Sequence, residues 1–163
     1  MTDTADTSEP TEAVFRVEIT VEAPLERAFK VFTEGFDSWW PRGHHIGATE
    51  MAEAVLEQHL GGRWFERGVD GSECEWGRVL AWEPPRHVAV SWHLDGEFRY
   101  EPDPGRASRV DVRFFAEGDN RTRVELEHSG LDRHGAGWPQ LRSAISSQGG
   151  WPELLQRFAQ AAS

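Results

Sequence analysis

The sequence predicts an α+β domain in which an antiparallel sheet packs against helix at the C-terminal end. Two observations lead to this prediction. Between residues 51 and 128, short runs of alternating apolar and polar side chains are separated by tight turns, as in neighbouring antiparallel strands. After residue 135 the apolar residues recur at helical spacing instead. Helix that is separated from the strands along the chain is expected to cover one face of their sheet.

The N-terminal part is expected to contribute one strand and two short helices. Apolar residues at 15, 17, 19 and 21 alternate with polar ones and predict the first strand. A helix is predicted over roughly 24–33, beginning at Pro24, and a second short helical turn ends at Pro41. Residues 42–49 have no clear period and are expected to form a loop. The polar, acidic residues 1–12 are expected to be a disordered tail, followed by a single domain of residues 13–163.

About six to seven strands are expected in the sheet. After the first, they are placed at 51–58, 63–67, 73–82 and 87–94, with two more around Val112 and Leu126. Residues 95–108 are polar and are expected to form a long, mobile connection, which leaves room for a short irregular strand at 98–100. At the C-terminus, Gly149-Gly150 and Pro152 interrupt the helical pattern, so it predicts either two helices or one kinked helix.

The composition excludes several classes of partner. A formal net charge of −11 would repel a nucleic-acid backbone and an anionic membrane surface. A single cysteine, Cys74, allows no intrachain disulfide and fits a reducing compartment. The N-terminus has neither the basic nor the apolar region of a signal peptide, and no apolar run is long enough to insert into a membrane. These features predict a cytoplasmic protein with no nucleic-acid partner.

Nine short motifs together resemble a known superfamily. From about Val14 to Ala162 the chain resembles the START/Bet v-like (SRPBCC) proteins, within them the branch similar to the C-terminal domain of activators of the heat-shock protein 90 ATPase. The motifs that carry the resemblance are Ala23-Pro24-Leu25-Glu26-Arg27-Ala28-Phe29, Phe32-Thr33, Trp39-Trp40, Gly61-Gly62-Arg63-Trp64, Asp70-Gly71-Ser72-Glu73, Gly77-Arg78-Val79-Leu80, Glu83-Pro84-Pro85-Arg86, His128-Ser129-Gly130-Leu131 and Gly149-Gly150-Trp151.

The resemblance implies a helix-grip fold, in which a curved antiparallel sheet wraps around a long C-terminal helix. In this superfamily a cavity lies between sheet and helix. Its members bind lipids, hormones, flavonoids and polyketides, and some are cyclases or aromatases. Since one fold hosts many functions, the resemblance predicts the fold more firmly than the activity.

Tryptophan is the first candidate for a ligand site, because the chain contains eight such residues. Several of them would suit the wall of a cavity for a planar apolar ligand, although the alternative is that they only fill the core. The candidates for the cavity wall are Trp39, Trp40, Trp64, Trp76, Trp92 and Trp151.

Polar candidates are fewer. His44, beside His45 in a loop with glycines on either side, is a candidate for a gate over the cavity, with an exposed loop as the alternative. Adjacent histidines cannot easily share one ion, and no third ligand stands at a metal-site spacing, so no metal and no cofactor are expected. Arg63 and Glu66 are candidates for an inward ion pair that would fix the polar end of a ligand. The alternative is that both face water.

The sequence predicts different roles for two further residues, His128 and Cys74. His128 alternates along its strand with the same period as Val124 and Leu126, so the three side chains lie on one face. This predicts that the His128 ring faces inward near one end of the cavity. It is either a ligand-contacting group or a satisfied core residue. Cys74 has no activating partner in the sequence and is expected to be a small buried residue rather than a nucleophile.

The sequence therefore predicts a protein that binds a small, mostly apolar molecule, aromatic, lipid or polyketide-like, in an internal cavity. One alternative is a small-molecule cyclase or hydrolase of polyketide type, which needs a titratable group inside the cavity. Another is a co-chaperone-like interaction module, which needs an exposed apolar patch; a chaperone partner is not favoured. Exposed sheet edges would also allow a homodimer.

Overall fold

Seven strands form one antiparallel sheet. The structure is a computed structural model and describes residues 13–163, so the tail expected at residues 1–12 lies outside the described residues. The strands are β1 (Val14–Val21), β2 (Met51–Leu56), β3 (Arg63–Gly68), β4 (Glu73–Glu83), β5 (His87–Trp92), β6 (Ser108–Ala116) and β7 (Thr122–Ser129). Their order across the sheet is β1-β7-β6-β5-β4-β3-β2, so β1 pairs with β7 and each strand from β3 to β7 pairs with the one before it, while β1 and β2 are the two edge strands.

Four helices complete the regular structure of the part of the chain that the structure describes. They are α1 (Leu25–Thr33), α2 (Phe36–Trp39), α3 (Trp138–Ser146) and α4 (Trp151–Ala162), with short 3₁₀ turns at Pro104–Arg106 and Leu131–His134. The C-terminal region is thus two helices separated by residues 147–150. Gly149 has φ +90°, and a Cβ on Gly150 would lie 2.2 Å from the Ile145 carbonyl oxygen, so the two glycines permit this sharp break.

The sheet curls around α3 and α4. Register shifts at Trp64/Phe65 in β3 and at Val79/Ala81 in β4 mark irregularities of the bulge type, which bend a strand and increase its twist. Helix α4 packs against β1 and α1, and buried side chains of α4 such as Phe158 meet the apolar face of the sheet. This arrangement confirms the predicted α+β helix-grip fold with its two short helices after the first strand.

Several boundaries differ from the prediction. Strand β2 ends at Leu56 rather than Gln58, because the chain turns at residues 57–62. Strand β5 ends at Trp92, and beyond it only an isolated bridge joins Leu94 to Tyr100. The 95–108 connection therefore carries no strand at 98–100. The 3₁₀ turn at Leu131–His134 was not predicted from the pattern. None of the helices in residues 13–163 is long and apolar enough to cross a membrane.

Candidate functional site

A cavity of about 320 Å³ lies between the sheet and the two C-terminal helices. Its volume is at the lower end of the ~300–1,000 Å³ that is usual for small-molecule sites. Its lining residues come from the segment after α2, from β4 and β5, from the connection after β5, and from the C-terminal helices and the break between them. They are Trp40, Gly43, His44, His45, Ile46, Trp76, Trp92, Leu94, Phe98, Ala144, Ile145, Gly149, Gly150, Trp151 and Leu154.

Four of the six candidate tryptophans lie in this wall. The ring centroids of Trp40 and Trp76 are 5.3 Å apart, those of Trp40 and Trp151 are 6.2 Å apart, and those of Trp92 and Trp151 are 5.7 Å apart. The four rings thus form a continuous aromatic surface around one space. Such walls favour a flat apolar ligand, because aromatic pairs add stacking and edge contacts to the burial of area.

The other two candidate tryptophans lie outside the cavity wall. Trp39 is fully buried between Phe32 and Phe158, and its Nε1 donates to the Val31 carbonyl oxygen at 3.2 Å. Trp64 packs behind Trp76 and Trp92. Both belong to the core, where their role is to support the rings that do reach the cavity.

Glu66 is a buried carboxylate that holds the loop over the cavity. It is only 1% exposed. Its Oε1 accepts the Ile46 backbone N–H at 2.6 Å and the Trp76 Nε1–H at 2.9 Å, while Oε2 accepts the Gly47 N–H at 2.9 Å. A Cβ on Gly47 would lie 2.9 Å from Oε2, so the loop needs glycine there to come this close. Glu66 does not line the cavity but fixes two parts of its wall.

The candidate gate residue His44 ties the loop to the opposite side of the opening. Its Nε2 lies 2.8 Å from the Gly149 carbonyl oxygen, in the break between α3 and α4, and its own carbonyl accepts the Trp40 Nε1–H at 2.9 Å. Since a carbonyl only accepts, Nε2 carries hydrogen and Nδ1 is the basic nitrogen of the neutral ring. In His45 it is Nδ1 that donates, to the Gly47 carbonyl oxygen, so the basic nitrogen is Nε2.

Arg63 does not form an inward pair with Glu66, so this expectation is wrong. Its guanidinium lies on the outside of the sheet, where it pairs with Glu57 at 3.1 Å and Glu73 at 2.9 Å and packs over Phe65. Cys74 is partly rather than fully buried, and burial, together with the nearby Glu66 carboxylate, raises the pKa of its thiol. A raised pKa disfavours the thiolate, which agrees with the expectation that Cys74 is not a nucleophile.

His128 is fully buried behind the cavity wall. The Trp151 Nε1–H donates to its Nδ1 at 3.1 Å, since an indole nitrogen only donates. Its Nε2–H therefore points to the Ser108 hydroxyl at 2.8 Å, which in turn lies 2.8 Å from His134 Nε2. Burial, with a smaller contribution from His134, lowers the pKa of His128 to about 3. The ring faces inward as predicted, but it holds Trp151 in place and does not itself line the cavity.

Several lining residues are not among the cavity candidates that the sequence supplied. Phe98 comes from the 95–108 connection, which the sequence predicts to be a mobile loop. Leu94 belongs to the predicted strand 87–94 but lies beyond the observed end of β5, and Ala144 lies on α3. The only signal for Phe98 was an apolar aromatic residue in an otherwise polar stretch. A single small residue such as Ala144 carries no signal in a helical pattern.

A second depression of about 600 Å³ lies on the opposite side of β5, because its lining residue Ser91 alternates with Trp92. Its walls include Arg78, which is ion-paired with Glu75, and Arg109, which is ion-paired with Asp111. This groove is more polar than the aromatic cavity and none of the eight tryptophans lies in its wall, so it is a weaker candidate for a flat apolar ligand. Within residues 13–163, no group of three or more His, Cys, Asp or Glu side chains is placed to hold a metal ion.

Comparison with known proteins supplies the family. Residues 22–163 match the family model described as Activator of Hsp90 ATPase homolog 1-like protein. The chain belongs to this family. No curated protein matches the chain at significant similarity.

Two solved structures are similar to this chain in sequence as well as in fold. The anthrahydroquino-γ-pyrone synthase Txn09 is 39% identical, with 90% of this chain and 95% of that chain covered and a TM-score of 0.64. The self-sacrificing resistance protein CalC from Micromonospora echinospora is 32% identical, with 93% and 94% covered and a TM-score of 0.67. An Hsp90 activator from Plasmodium falciparum is 16% identical, with 88% and 94% covered and a TM-score of 0.56, a likeness that shows the fold alone.

Proposed function

We propose that this protein binds a planar, fused-ring aromatic molecule of the anthraquinone or anthrahydroquinone class in the cavity between the sheet and the C-terminal helices. The observation that carries the proposal is the set of four tryptophans, Trp40, Trp76, Trp92 and Trp151, around a single cavity of about 320 Å³. Burial of a flat apolar ligand between such rings supplies about 25 cal/mol per Å² before the costs of association.

The choice of ligand class rests on two kinds of support. The cavity wall is mostly apolar, with a few polar groups on one side, the rings of His44 and His45, to orient an oxygenated ring. The 39% identical relative is a synthase whose name places an anthrahydroquinone and a γ-pyrone in its product. Both are planar and oxygenated, which is the chemistry that this wall suits.

The proposal is tested by a substitution on α3 that fills the cavity. Ala144→Phe places a benzyl side chain in the cavity wall and is expected to weaken binding of 1,8-dihydroxyanthraquinone by about a hundredfold or more, since ring and ligand compete for the same volume. Isothermal titration calorimetry of the wild type and the variant measures the effect.

Ser143→Phe is the matched control, because Ser143 is the exposed neighbour of Ala144 on the same helix. It adds the same side chain outside the cavity and should leave the affinity within about twofold. A wild-type protein that does not bind the anthraquinone, or an Ala144→Phe variant that binds it normally, contradicts the proposal.

A second candidate function is closure of a γ-pyrone ring. The observation that favours it is the position of two basic imidazole nitrogens, His44 Nδ1 and His45 Nε2, in residues of the cavity wall. In such a closure a phenol oxygen adds to the distal carbonyl of an aryl 1,3-diketone, and the adduct loses water. A histidine would take the phenol proton and give it to the attacked carbonyl oxygen, which becomes a hydroxyl. In the second step it would take a proton from the carbon between the two carbonyls and pass it to that hydroxyl, which leaves as water.

This candidate is tested with 1-(2-hydroxyphenyl)butane-1,3-dione as a model substrate and chromatographic detection of the chromone. If the protein is such an enzyme, wild type accelerates ring closure, and His44→Ala or His45→Ala lowers the rate by about 10²–10⁴-fold, far more than it weakens anthraquinone binding. If the wild type binds the anthraquinone but does not accelerate ring closure, the cavity has a binding function and this enzymatic function is excluded.

A further inference from the structure

Phe98 has a backbone conformation that is unfavourable for its residue type. Its φ is +59°, and it is the one non-glycine residue between positions 13 and 163 with a positive φ. For a bulky residue this left-handed region is an unfavourable outlier. The ring is also 42% exposed, so no packing in the core repays the cost.

The turn around Phe98 is braced so that this conformation is held. The Asp95 Oδ1 accepts the backbone N–H groups of Glu97 at 2.9 Å and Arg99 at 3.0 Å. The Phe98 N–H donates to the Asp95 carbonyl oxygen at 2.8 Å, and the Asp95 N–H donates to the Arg99 carbonyl oxygen at 3.0 Å. The bridge between Leu94 and Tyr100 closes the base of the turn. These contacts explain how the strain is maintained but not why the residue is phenylalanine.

The place of the ring in the fold supplies the reason. Phe98 lines the cavity, together with Leu94 from the same segment. The deep wall residues, such as Trp76 and Trp92, are buried, whereas Phe98 and Gly43 are exposed. Phe98 therefore lies at the mouth, and its exposed surface borders the space that a ligand would occupy. Glycine would fit this backbone without strain but would leave the rim without an aromatic group.

We infer that Phe98 is a specificity-determining residue that covers the outer end of a fused-ring ligand, a role that rests on the binding function proposed above. The hydrogen bonds of the turn fix the position of the Phe98 ring before a ligand binds, so little conformational entropy of the side chain and loop is lost on binding. A ligand long enough to reach the mouth gains contact with Phe98. A shorter one that stays among the tryptophans gains little.

The test compares two probes, 1,8-dihydroxyanthraquinone with three fused rings and 2-naphthol with two. Phe98→Ala is expected to raise the Kd for the anthraquinone about tenfold, which corresponds to about 1.4 kcal/mol, and to change that for 2-naphthol by about twofold or less. Phe98→Gly should lose the same affinity while its Tm exceeds that of Phe98→Ala by about 2–4 °C, because glycine relieves the strain.

Phe115→Ala is the control, since Phe115 is similarly exposed at 37% but lies on β6 outside the cavity. It should leave both affinities unchanged. Tight anthraquinone binding by Phe98→Ala overturns the inference, and so does an equal loss for both probes, which would indicate a general structural role. If the wild type binds neither probe, the proposed function itself fails and Phe98 has no ligand to cover.

Discussion

Glu66→Ala is expected to lower the free energy of unfolding by about 3 kcal/mol or more. The change removes one buried carboxylate that accepts from the backbone N–H groups of Ile46 and Gly47 and from the Trp76 indole. Each buried donor left without an acceptor costs about 1–3 kcal/mol. Urea unfolding, followed by circular dichroism, measures the loss as a change in the midpoint at constant slope.

The matched control is Glu53→Ala on the neighbouring strand β2. Glu53 also forms an ion pair, with Arg67, but both side chains are largely exposed, so the expected loss is below about 1 kcal/mol. Glu66→Gln should lie between the two, because an amide keeps one acceptor oxygen and loses the other. If Glu66→Ala is no more destabilising than Glu53→Ala, the loop is not held by this carboxylate.

Acidification is expected to destabilise the protein through His128. The unfolded chain binds a proton at this residue below about pH 6.5, whereas burial keeps the folded ring neutral until about pH 3. The free energy of unfolding therefore falls as the pH drops from 6.5 towards 3, by about 1.4 kcal/mol per pH unit for this one group. His134, whose pKa is also lowered by burial, acts in the same direction.

The measurement is the pH dependence of urea unfolding between pH 6 and 4.5 in wild type and in His128→Asn. Asparagine keeps an acceptor for the Trp151 indole but does not titrate, so the slope should become shallower by about 1.4 kcal/mol per pH unit. A His128→Asn slope equal to that of wild type would mean that the ring is protonated in the folded state.

The fold was predictable because local patterns and turn chemistry agree along most of the chain. Strand alternation in residues such as Val17 and Val112 reports the buried face directly. The choice between one kinked helix and two was not predictable, because it depends on how closely Gly150 approaches the Ile145 carbonyl oxygen. That contact is made by backbone atoms, which leave no periodic signal.

The site was predictable only in part. Parity places His128 inward, but it does not say that Trp151 lies between that ring and the cavity. The alternation of residues along β3 also does not show which face of the sheet the Arg63 side chain lies on, because a register shift follows directly at Trp64/Phe65. Phe98 escaped prediction because its importance lies in a backbone angle and in its distance from residues far along the chain. Such properties come from tertiary structure.

The most direct test of the account is the ¹⁵N-labelled indole spectrum of the eight tryptophans, recorded during titration with 1,8-dihydroxyanthraquinone. Tryptophan-to-phenylalanine variants assign each signal. Ring-current shifts are expected for Trp40, Trp76, Trp92 and Trp151, whose rings line the cavity, while the signals of Trp39, Trp82 and Trp138 stay in place. Unchanged cavity signals, or shifts confined to Trp82 and Trp138, would show that the cavity does not hold the ligand.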